Sequence, residues 1–210
     1  GTSRAASTGS CAAAAPARNP ARSSDLVGTF PESGPEDGNA AVEAASPAFQ
    51  AWRLPPAPRR AEVIYRAAEI LRDRKEALAR AMTREMGKVL AETRGDVQEG
   101  IDTAYYAATE GRRLFGHTAP SELANKFNMA MRVPIGVAGI VTPWNFPMAI
   151  PTWKIFPALL SGNTVVFKPS SASPLSAVKL MEAYIDAGVP AGVVNMVMGP
   201  GETVGQALQD

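Results

Sequence analysis

The sequence predicts an α/β protein in which a parallel sheet is flanked by helices. Two observations support this prediction. In the second part of the chain, short β-rich runs at 137–141, 164–168 and 193–198 alternate with segments of helix length, which is typical of a parallel sheet with right-handed crossovers. In the first part, from 36 to 116, apolar residues recur every three or four positions, which indicates amphipathic helices. We therefore expect a helical segment followed by a parallel sheet.

Composition excludes several classes of protein. The chain has 210 residues, of which 46% are hydrophobic and 20% charged, with a formal net charge of +1. Its basic residues are spread along the sequence, so nothing predicts binding to nucleic acid or to an acidic membrane surface. The run 133–162 is apolar enough to suggest a membrane span, but five prolines interrupt it. We expect a soluble protein, and its single cysteine, Cys11, fits a reducing, cytoplasmic compartment.

The first half of the chain is predicted to contain a lead-in and then helices. Residues 1–35 are expected to form a loop with a short hairpin, because LVGTFP (26–31) has strand character. Gly87 lies where a helix-ending glycine is expected. The amphipathic helices of the region 36–116 are predicted at 36–52, 56–86 and 89–115.

The segment 117–134 separates these helices from the sheet. Within it, NKFNMAMRV (125–133) alternates apolar and polar residues, which predicts a strand with one apolar face. His117, the only histidine, has no metal-ligand or catalytic-triad partner at a suitable spacing. We predict that it is a turn residue after Gly116, and we predict no metal site.

The region 135–210 is predicted to form the sheet. Gly162 is expected to end its first helix, Ser173 as N-cap and Pro174 to open its second, and Gly188 to end it. A sheet of three parallel strands is small for a complete domain. We therefore expect the sheet to be incomplete at the C-terminus of this chain.

Polar or glycine-rich motifs follow each of the three predicted strands. They are TPWN (142–145), KPSS (168–171) and GPGETVG (199–205). Ligands of open parallel sheets bind beyond the carboxyl ends of the strands, so the three motifs together predict a nucleotide cleft. Each motif alone has another interpretation: Lys168 as a solvated lysine, Asn145 as an Asx-turn residue, and the glycines as a structural turn.

The first of these motifs lies in the rigid sequence TPWNFP (142–147). Proline fixes its own φ and biases the residue before it to an extended conformation. The side chains of Trp144 and Asn145 are therefore expected in nearly one orientation. Such a restriction suits the binding of a ligand or a transition state.

The stretch 136–205 closely resembles the aldehyde dehydrogenase superfamily. The resemblance rests on PWNFP, on KPS after the strand GNTVVFK, and on PAGVVNMVMGPGETVG. Upstream, NPARSSDLVGTFP and AFQAWR are also similar to the family, so the likeness runs from about residue 19 to the end. Residues 1–18 would correspond to a first hairpin but match it poorly. The resemblance implies a Rossmann-like sheet that binds NAD or NADP, with 36–116 as the helical part of the cofactor-binding domain.

The resemblance also implies roles for residues at the strand ends. Asn145 resembles the asparagine whose amide helps to form the oxyanion hole, and Lys168 the lysine that binds the adenosine ribose. Gly201 and Gly205 resemble the glycines near the adenine and pyrophosphate. The segment 117–134 resembles part of the arm through which family members form homodimers or homotetramers. The other positions expected at the cofactor cleft are Val141, Thr142, Pro143, Trp144, Ser170 and Ser171.

The implied activity is the oxidation of an aldehyde to a carboxylic acid through a cysteine thiohemiacetal. The family's nucleophilic cysteine and general-base glutamate would lie beyond residue 210, and Cys11 is not expected to replace the nucleophile. The 210-residue chain alone is therefore predicted to be inactive. Two alternatives stay open: a relative that reduces an activated acyl group to a semialdehyde, and a fragment that serves only in binding or assembly.

Ser171 bears on the choice between NAD and NADP. In many NAD-preferring members of the family, a glutamate at this position, three residues after the ribose-binding lysine, accepts hydrogen bonds from the ribose. Ser170 and Ser171 carry no charge that would repel a 2′-phosphate, and their hydroxyls can donate hydrogen bonds to one. We therefore expect NADP to be accepted alongside NAD, unless a downstream acidic residue excludes it.

Overall fold

A computed structural model describes residues 13–209 of the chain. In this range the chain begins with a hairpin, continues through four helices and a second hairpin, and ends in an alternation of strands and helices. The elements are β1 (Ala13–Arg18), β2 (Leu26–Glu32), α1 (Pro35–Trp52), α2 (Ala57–Asp73), α3 (Lys75–Met86), α4 (Leu90–Glu110), β3 (His117–Pro120), β4 (Phe127–Ala130), β5 (Val137–Val141), α5 (Ala149–Leu160), β6 (Thr164–Lys168), α6 (Pro174–Asp186), β7 (Val194–Met196) and a π-helical turn at Gly201–Gly205.

The first hairpin lies within the predicted lead-in of residues 1–35. Strand β1 pairs antiparallel with β2, so the predicted strand at 26–31 is confirmed, and residues 13–18 join it. The turn between them is closed by Asn19, whose amide donates to the Asp25 carboxylate at 3.1 Å. Arg84 of α3 also donates to that carboxylate, at 3.0 Å from Nε. The hairpin is therefore fixed to the helical segment.

The helical segment is confirmed, with one helix more than predicted. The predicted helix 56–86 is two helices, α2 and α3, because Arg74 between them leaves the helical conformation at φ −96° and ψ 4°. Gly87 ends α3 in the left-handed region, as predicted, at φ 77°. Helix α4 ends at Glu110, earlier than the predicted 115. Its Gly100 allows close packing, since a Cβ there would lie 3.3 Å from Oγ1 of Thr152 in α5.

The predicted parallel sheet flanked by helices is also confirmed. Strand β6 lies between β5 and β7 and is parallel to both. All of its residues are buried, and they alternate between two layers. Val165 and Phe167 pack into the larger core with helices α2, α4, α5 and α6, whereas Val166 packs against Ala41 and Ala45 of α1. The sheet is thus the middle of three layers.

The glycines expected to end the helices of the sheet region do so, but the start of α6 differs from the prediction. Gly162 and Gly188 have left-handed φ values of 93° and 85°. Ser173 precedes Pro174 as expected, yet its side chain makes no capping hydrogen bond. The prediction that Ser173 is the N-cap residue is confirmed, but its hydroxyl does not bond the first N–H groups of the helix.

Glu85 of α3 supplies the capping hydrogen bonds instead. Its carboxylate accepts hydrogen bonds from the backbone N–H of Leu175 and from the backbone N–H and hydroxyl of Ser176, the latter two at 3.0 and 2.6 Å. Glu85 is buried, and burial raises the pKa of its carboxyl group. The hydrogen bonds from Ser176 and Leu175 lower the pKa, but by less than burial raises it. The carboxylate therefore satisfies N–H groups that a helix start leaves without an intrahelical partner.

The second hairpin corrects two details of the sequence analysis. His117 lies in strand β3 and pairs with Ala130, so the prediction of a turn residue is wrong. The two strands approach closely at Gly116, where a Cβ would lie 2.1 Å from the Ala130 carbonyl oxygen. This close approach explains why His117 pairs in a strand instead of forming a turn. Strand β4 is confirmed but shorter than 125–133, and all of its residues are exposed on both faces.

Candidate cofactor and active site

The three strand ends predicted to form a cleft are joined by hydrogen bonds. The backbone N–H of Thr142, after β5, donates to the Lys168 carbonyl at the end of β6, at 3.2 Å. The Lys168 ammonium donates in turn to the Gly199 carbonyl, after β7, at 2.9 Å. Lys168 thus connects the motif after β5 with the motif after β7.

Lys168 is a buried lysine. Only 4% of its surface is exposed, so its interpretation as a solvated strand-end lysine is wrong. Its ammonium donates to the carbonyls of Pro169 and Gly199, both at 2.9 Å, which uses two of its three N–H groups. Burial lowers the pKa of Lys168. One N–H group of this buried ammonium therefore has no acceptor among the described residues.

Ser170 and Ser171 lie beside this lysine but have different partners. The Ser171 hydroxyl donates to the Gly199 carbonyl at 3.1 Å, the same oxygen that Lys168 contacts. The Ser170 hydroxyl oxygen accepts from the backbone N–H of Ala172 at 3.2 Å. Both serines line a pocket whose other wall includes Phe30 and Glu32 of β2. The Glu32 side chain therefore lines the same pocket as Ser171.

The glycines of the third motif leave backbone open to a ligand. The turn Gly201–Gly205 is π-helical and follows directly on Pro200. A Cβ at Gly201 would meet no atom within 4 Å, and a Cβ at Gly205 would lie 3.6 Å from Cε of Lys168. A side chain at position 205 would occupy space beside the lysine, whereas one at position 201 would extend into open space. The open glycine backbone and the buried ammonium fit the sugar and phosphate groups of a dinucleotide.

The motif after β5 presents a mostly exposed loop. Thr142 is buried, whereas Val141 and Trp144 are 46% and 57% exposed, and Pro143 and Asn145 are exposed too. No group among residues 13–209 hydrogen-bonds the Asn145 carboxamide, so the Asx-turn interpretation is wrong. The carboxamide therefore has its N–H groups available for a ligand.

Lys88 contacts this loop and was missed in the sequence analysis. It lies in the three-residue link between α3 and α4, directly after Gly87. Its ammonium donates to the backbone carbonyl oxygen of Asn145 at 2.9 Å. The same ammonium lies 3.7 Å from the centroid of the Phe146 ring. A cation over an aromatic face at this distance is attracted by the ring quadrupole. Lys88 therefore holds the loop at two adjacent residues.

Asp96 of α4 contacts the other end of the same loop. Its Oδ1 accepts from the backbone N–H of Ala149, the first residue of α5, at 2.8 Å. Its Oδ2 lies 3.9 Å from the Lys88 ammonium and has no hydrogen-bond partner among the described residues. Burial raises the pKa of Asp96 to about 6, although the hydrogen bond from Ala149 and the charge of Lys88 lower it. The sequence signal for a buried carboxylate was an acidic residue on the apolar face of a predicted helix.

Three other expectations concern metal binding, Cys11 and a membrane span. Between residues 13 and 209, no cluster of three or more His, Cys, Asp or Glu side chains is placed to hold a metal ion. Cys11 lies outside the described residues. In the described part of the chain, no helix is both long and apolar enough to cross a membrane.

A known protein family matches almost the whole chain. The family model described as "Aldehyde dehydrogenase family" matches residues 8–210. The chain belongs to the aldehyde dehydrogenase family. The match begins at residue 8, some 11 residues before the start that the resemblance indicated.

Curated members of the aldehyde dehydrogenase family are similar over most of this chain. An α-ketoglutaric semialdehyde dehydrogenase of Bacillus subtilis (strain 168) is 44% identical over 192 residues, which are 91% of this chain and 39% of the relative. The NADP(+) succinate-semialdehyde dehydrogenase GabD of Escherichia coli (strain K12) is 42% identical over 190 residues, or 90% of this chain and 39% of GabD. The chain thus spans about two fifths of the length of these relatives.

Solved structures of aldehyde dehydrogenases share the fold. The crystal structure of an E. coli NADP-dependent enzyme has a TM-score of 0.90 and 41% identity, and the alignment covers 93% of this chain and 40% of that one. An aldehyde dehydrogenase from Brucella melitensis biovar abortus 2308 has a TM-score of 0.93 at 32% identity, with 96% of this chain and 41% of that one covered. The α/β fold of the chain is therefore that of part of an aldehyde dehydrogenase.

Proposed function

We propose that the full-length protein is an NAD(P)-dependent aldehyde dehydrogenase, which oxidises an aldehyde to a carboxylic acid. This chain contributes the cofactor cleft and one catalytic group, Asn145. The observation that carries the proposal is the position of Lys168, which is buried and joins the ends of β5, β6 and β7. A cation at the carboxyl ends of parallel strands lies where open α/β sheets bind nucleotides.

The cofactor is NAD or NADP, whose nicotinamide, when bound, accepts a hydride from the substrate. Lys168 binds the adenosine ribose, and Gly201 and Gly205 allow the adenine and pyrophosphate to approach the backbone. Val141, Thr142, Pro143 and Trp144 line the cleft at the end of β5. Relatives named for NADP, GabD among them, support the acceptance of NADP.

Asn145 stabilises negative charge on the aldehyde oxygen. A cysteine thiolate from beyond residue 210 attacks the carbonyl carbon, and the electrons of the C=O bond move to oxygen. The Asn145 amide donates a hydrogen bond to that oxygen, an interaction that contributes about 3–4 kcal/mol in comparable oxyanion holes. The free carboxamide of Asn145 supports this role, because it has no partner within residues 13–209 to displace.

The substrate is a semialdehyde that carries an acidic group at its other end. Relatives are named for α-ketoglutaric, succinate and glutarate semialdehydes. Another is named a 3-sulfolactaldehyde dehydrogenase, and its substrate also carries an acidic group. The negative charge shared by these aldehydes distinguishes them from simple aliphatic ones.

Several finer features of the protein remain proposals. The regions 1–35, 36–116 and 135–210 serve as lead-in, helical part and sheet of the cofactor-binding domain. The exposed hairpin of 117–134 belongs to an arm that forms a homodimer or homotetramer. The cytoplasmic location stays a prediction, and so does the inactivity of the 210-residue chain on its own.

Replacement of Asn145 by alanine in the full-length protein tests the proposed function. We expect the single-turnover acylation rate to fall by about 100-fold or more, while the Kd for NAD or NADP changes little. The reason is that the amide acts on charge that develops only near the transition state. A panel of aldehydes with and without a terminal carboxylate, followed by NAD(P)H absorbance, tests the substrate class in the same assay. A variant that bound the cofactor poorly but kept its acylation rate would contradict the oxyanion role.

A further inference from the structure

The loop that presents Asn145 is held from outside by two charged side chains of the helical segment. Lys88 donates to the Asn145 carbonyl oxygen at 2.9 Å and lies over the Phe146 ring. Asp96 accepts from the N–H of Ala149, where the loop enters α5, at 2.8 Å. The two side chains approach each other, with 3.9 Å between the Lys88 ammonium and Oδ2 of Asp96.

The burial of these groups shows that the contacts are built into the fold. The Asp96 side chain has no exposed surface and that of Lys88 is 16% exposed. A partly buried charge pair loses hydration that only its partners can replace. Lys88 is also placed by the backbone, because Gly87 before it turns in the left-handed region. A flexible surface lysine would have neither restriction.

We propose that Lys88 and Asp96 are positioning residues, which fix the direction of the Asn145 carboxamide by holding the backbone at Asn145 itself and at the start of α5. The inference rests on the proposed function, because it assumes that Asn145 binds the aldehyde oxygen. Pro143 and Pro147 restrict the backbone dihedrals of the loop, but they do not fix its place relative to α3 and α4. The contacts of Lys88 and Asp96 supply that placement, and neither side chain contacts the substrate.

The test uses the full-length enzyme and three lysine variants. Lys88→Met removes the donor and the charge at similar length, and Lys88→Arg keeps both. Lys154→Met is the matched control, since Lys154 is an exposed lysine of α5, close in sequence to the loop. We measure single-turnover acylation, the Kd for NAD or NADP, and the amide hydrogen exchange of the loop at 142–148.

We expect Lys88→Met to lower acylation by about tenfold, less than the loss of the amide itself, because small misplacement of a catalytic group is costly. Hydrogen exchange in the loop should rise, while the cofactor Kd stays within about twofold of the wild-type value. Lys88→Arg should recover part of the rate, and Lys154→Met should behave as the wild type. Asp96→Ala should raise exchange at the Ala149 end of the loop.

A double variant separates this inference from the proposed function. If Lys88 acts through Asn145, Lys88→Met should have almost no effect on acylation in an Asn145→Ala background. The same rate loss in both backgrounds would overturn the positioning role and leave the role of Asn145 intact. An Asn145→Ala variant with wild-type acylation would overturn the proposed function, and the positioning role with it. Unchanged exchange in Lys88→Met would overturn the positioning role alone.

Discussion

The buried carboxyl group of Asp96 predicts an unusual dependence of stability on pH. Burial, with a smaller contribution from the charge of Glu99, raises the pKa of Asp96 from its ordinary value of 3.8 to about 6. In the unfolded chain the group titrates near its ordinary value. Between these two pKa values the unfolded state is ionised while the folded state keeps its proton. The perturbation is the change Asp96→Asn, which keeps an acceptor for the Ala149 N–H and removes the titration.

The size of the effect follows from the two pKa values. A rise from 3.8 to about 6 corresponds to about 3 kcal/mol, at 1.36 kcal/mol for each tenfold change in proton affinity. Because the folded-state pKa is the higher one, this contribution to stability is fully present below about pH 4 and is lost as the pH rises through about 6. Above that pH both states are ionised, and the difference between wild type and variant becomes constant.

The assay is the free energy of unfolding of full-length wild type and Asp96→Asn, measured by denaturant titration between pH 4 and 8. The difference between the two proteins cancels the titration of all shared groups. We expect the wild type to lose about 3 kcal/mol relative to the variant as the pH rises across this range. The opposite slope would show that attraction to Lys88 outweighs burial and lowers the pKa of Asp96. A flat difference would show that the carboxyl group is hydrated.

Two further substitutions test other parts of the structure. Ser171→Glu should lower kcat/KM for NADP about tenfold more than kcat/KM for NAD, because a carboxylate repels the 2′-phosphate. Ser171→Gln is the uncharged control. Equal losses with both cofactors would show that Ser171 does not affect the choice between them. Tyr184→Phe should raise the free energy of unfolding by about 1–2 kcal/mol, since the buried Tyr184 hydroxyl has no hydrogen-bond partner among residues 13–209. Tyr105→Phe, which removes a hydroxyl bonded to Glu69 and Arg72, should lower it, and a loss in both variants would contradict the reasoning.

The parallel sheet and the meeting of its strand ends could be predicted because they depend on local patterns. Short β-rich runs separated by helix-length segments predict parallel strands, and the parallel arrangement brings their carboxyl ends to one edge. Lys168 ends a strand in the sequence, so its place at that edge followed directly. Its burial did not, because it arises from the carbonyl of Gly199, some 31 residues away in sequence.

The contacts that support the loop could not be predicted, because they also join residues that are far apart in the sequence. Lys88 and Asp96 reach residues 57 and 53 positions away, and no periodic pattern encodes such pairs. The role of Glu85 was missed likewise: Ser173 lies at the predicted N-cap position, but the carboxylate that bonds the first N–H groups of α6 comes from α3. The break at Arg74 was missed because the apolar stripe continues across it from α2 into α3.

The cap that Glu85 provides has a consequence for how the chain folds. A helix as short as α6, with 13 residues, is marginal when isolated in water. The N–H groups of Leu175 and Ser176 donate to a carboxylate that lies 90 and 91 positions earlier in the chain. Helix α6 therefore reaches its full stability only once α3 has docked on it. We therefore expect the stability of α6 to depend on α3, because separation of the helices before residue 116 from the sheet after residue 135 would remove the Glu85 carboxylate from Leu175 and Ser176.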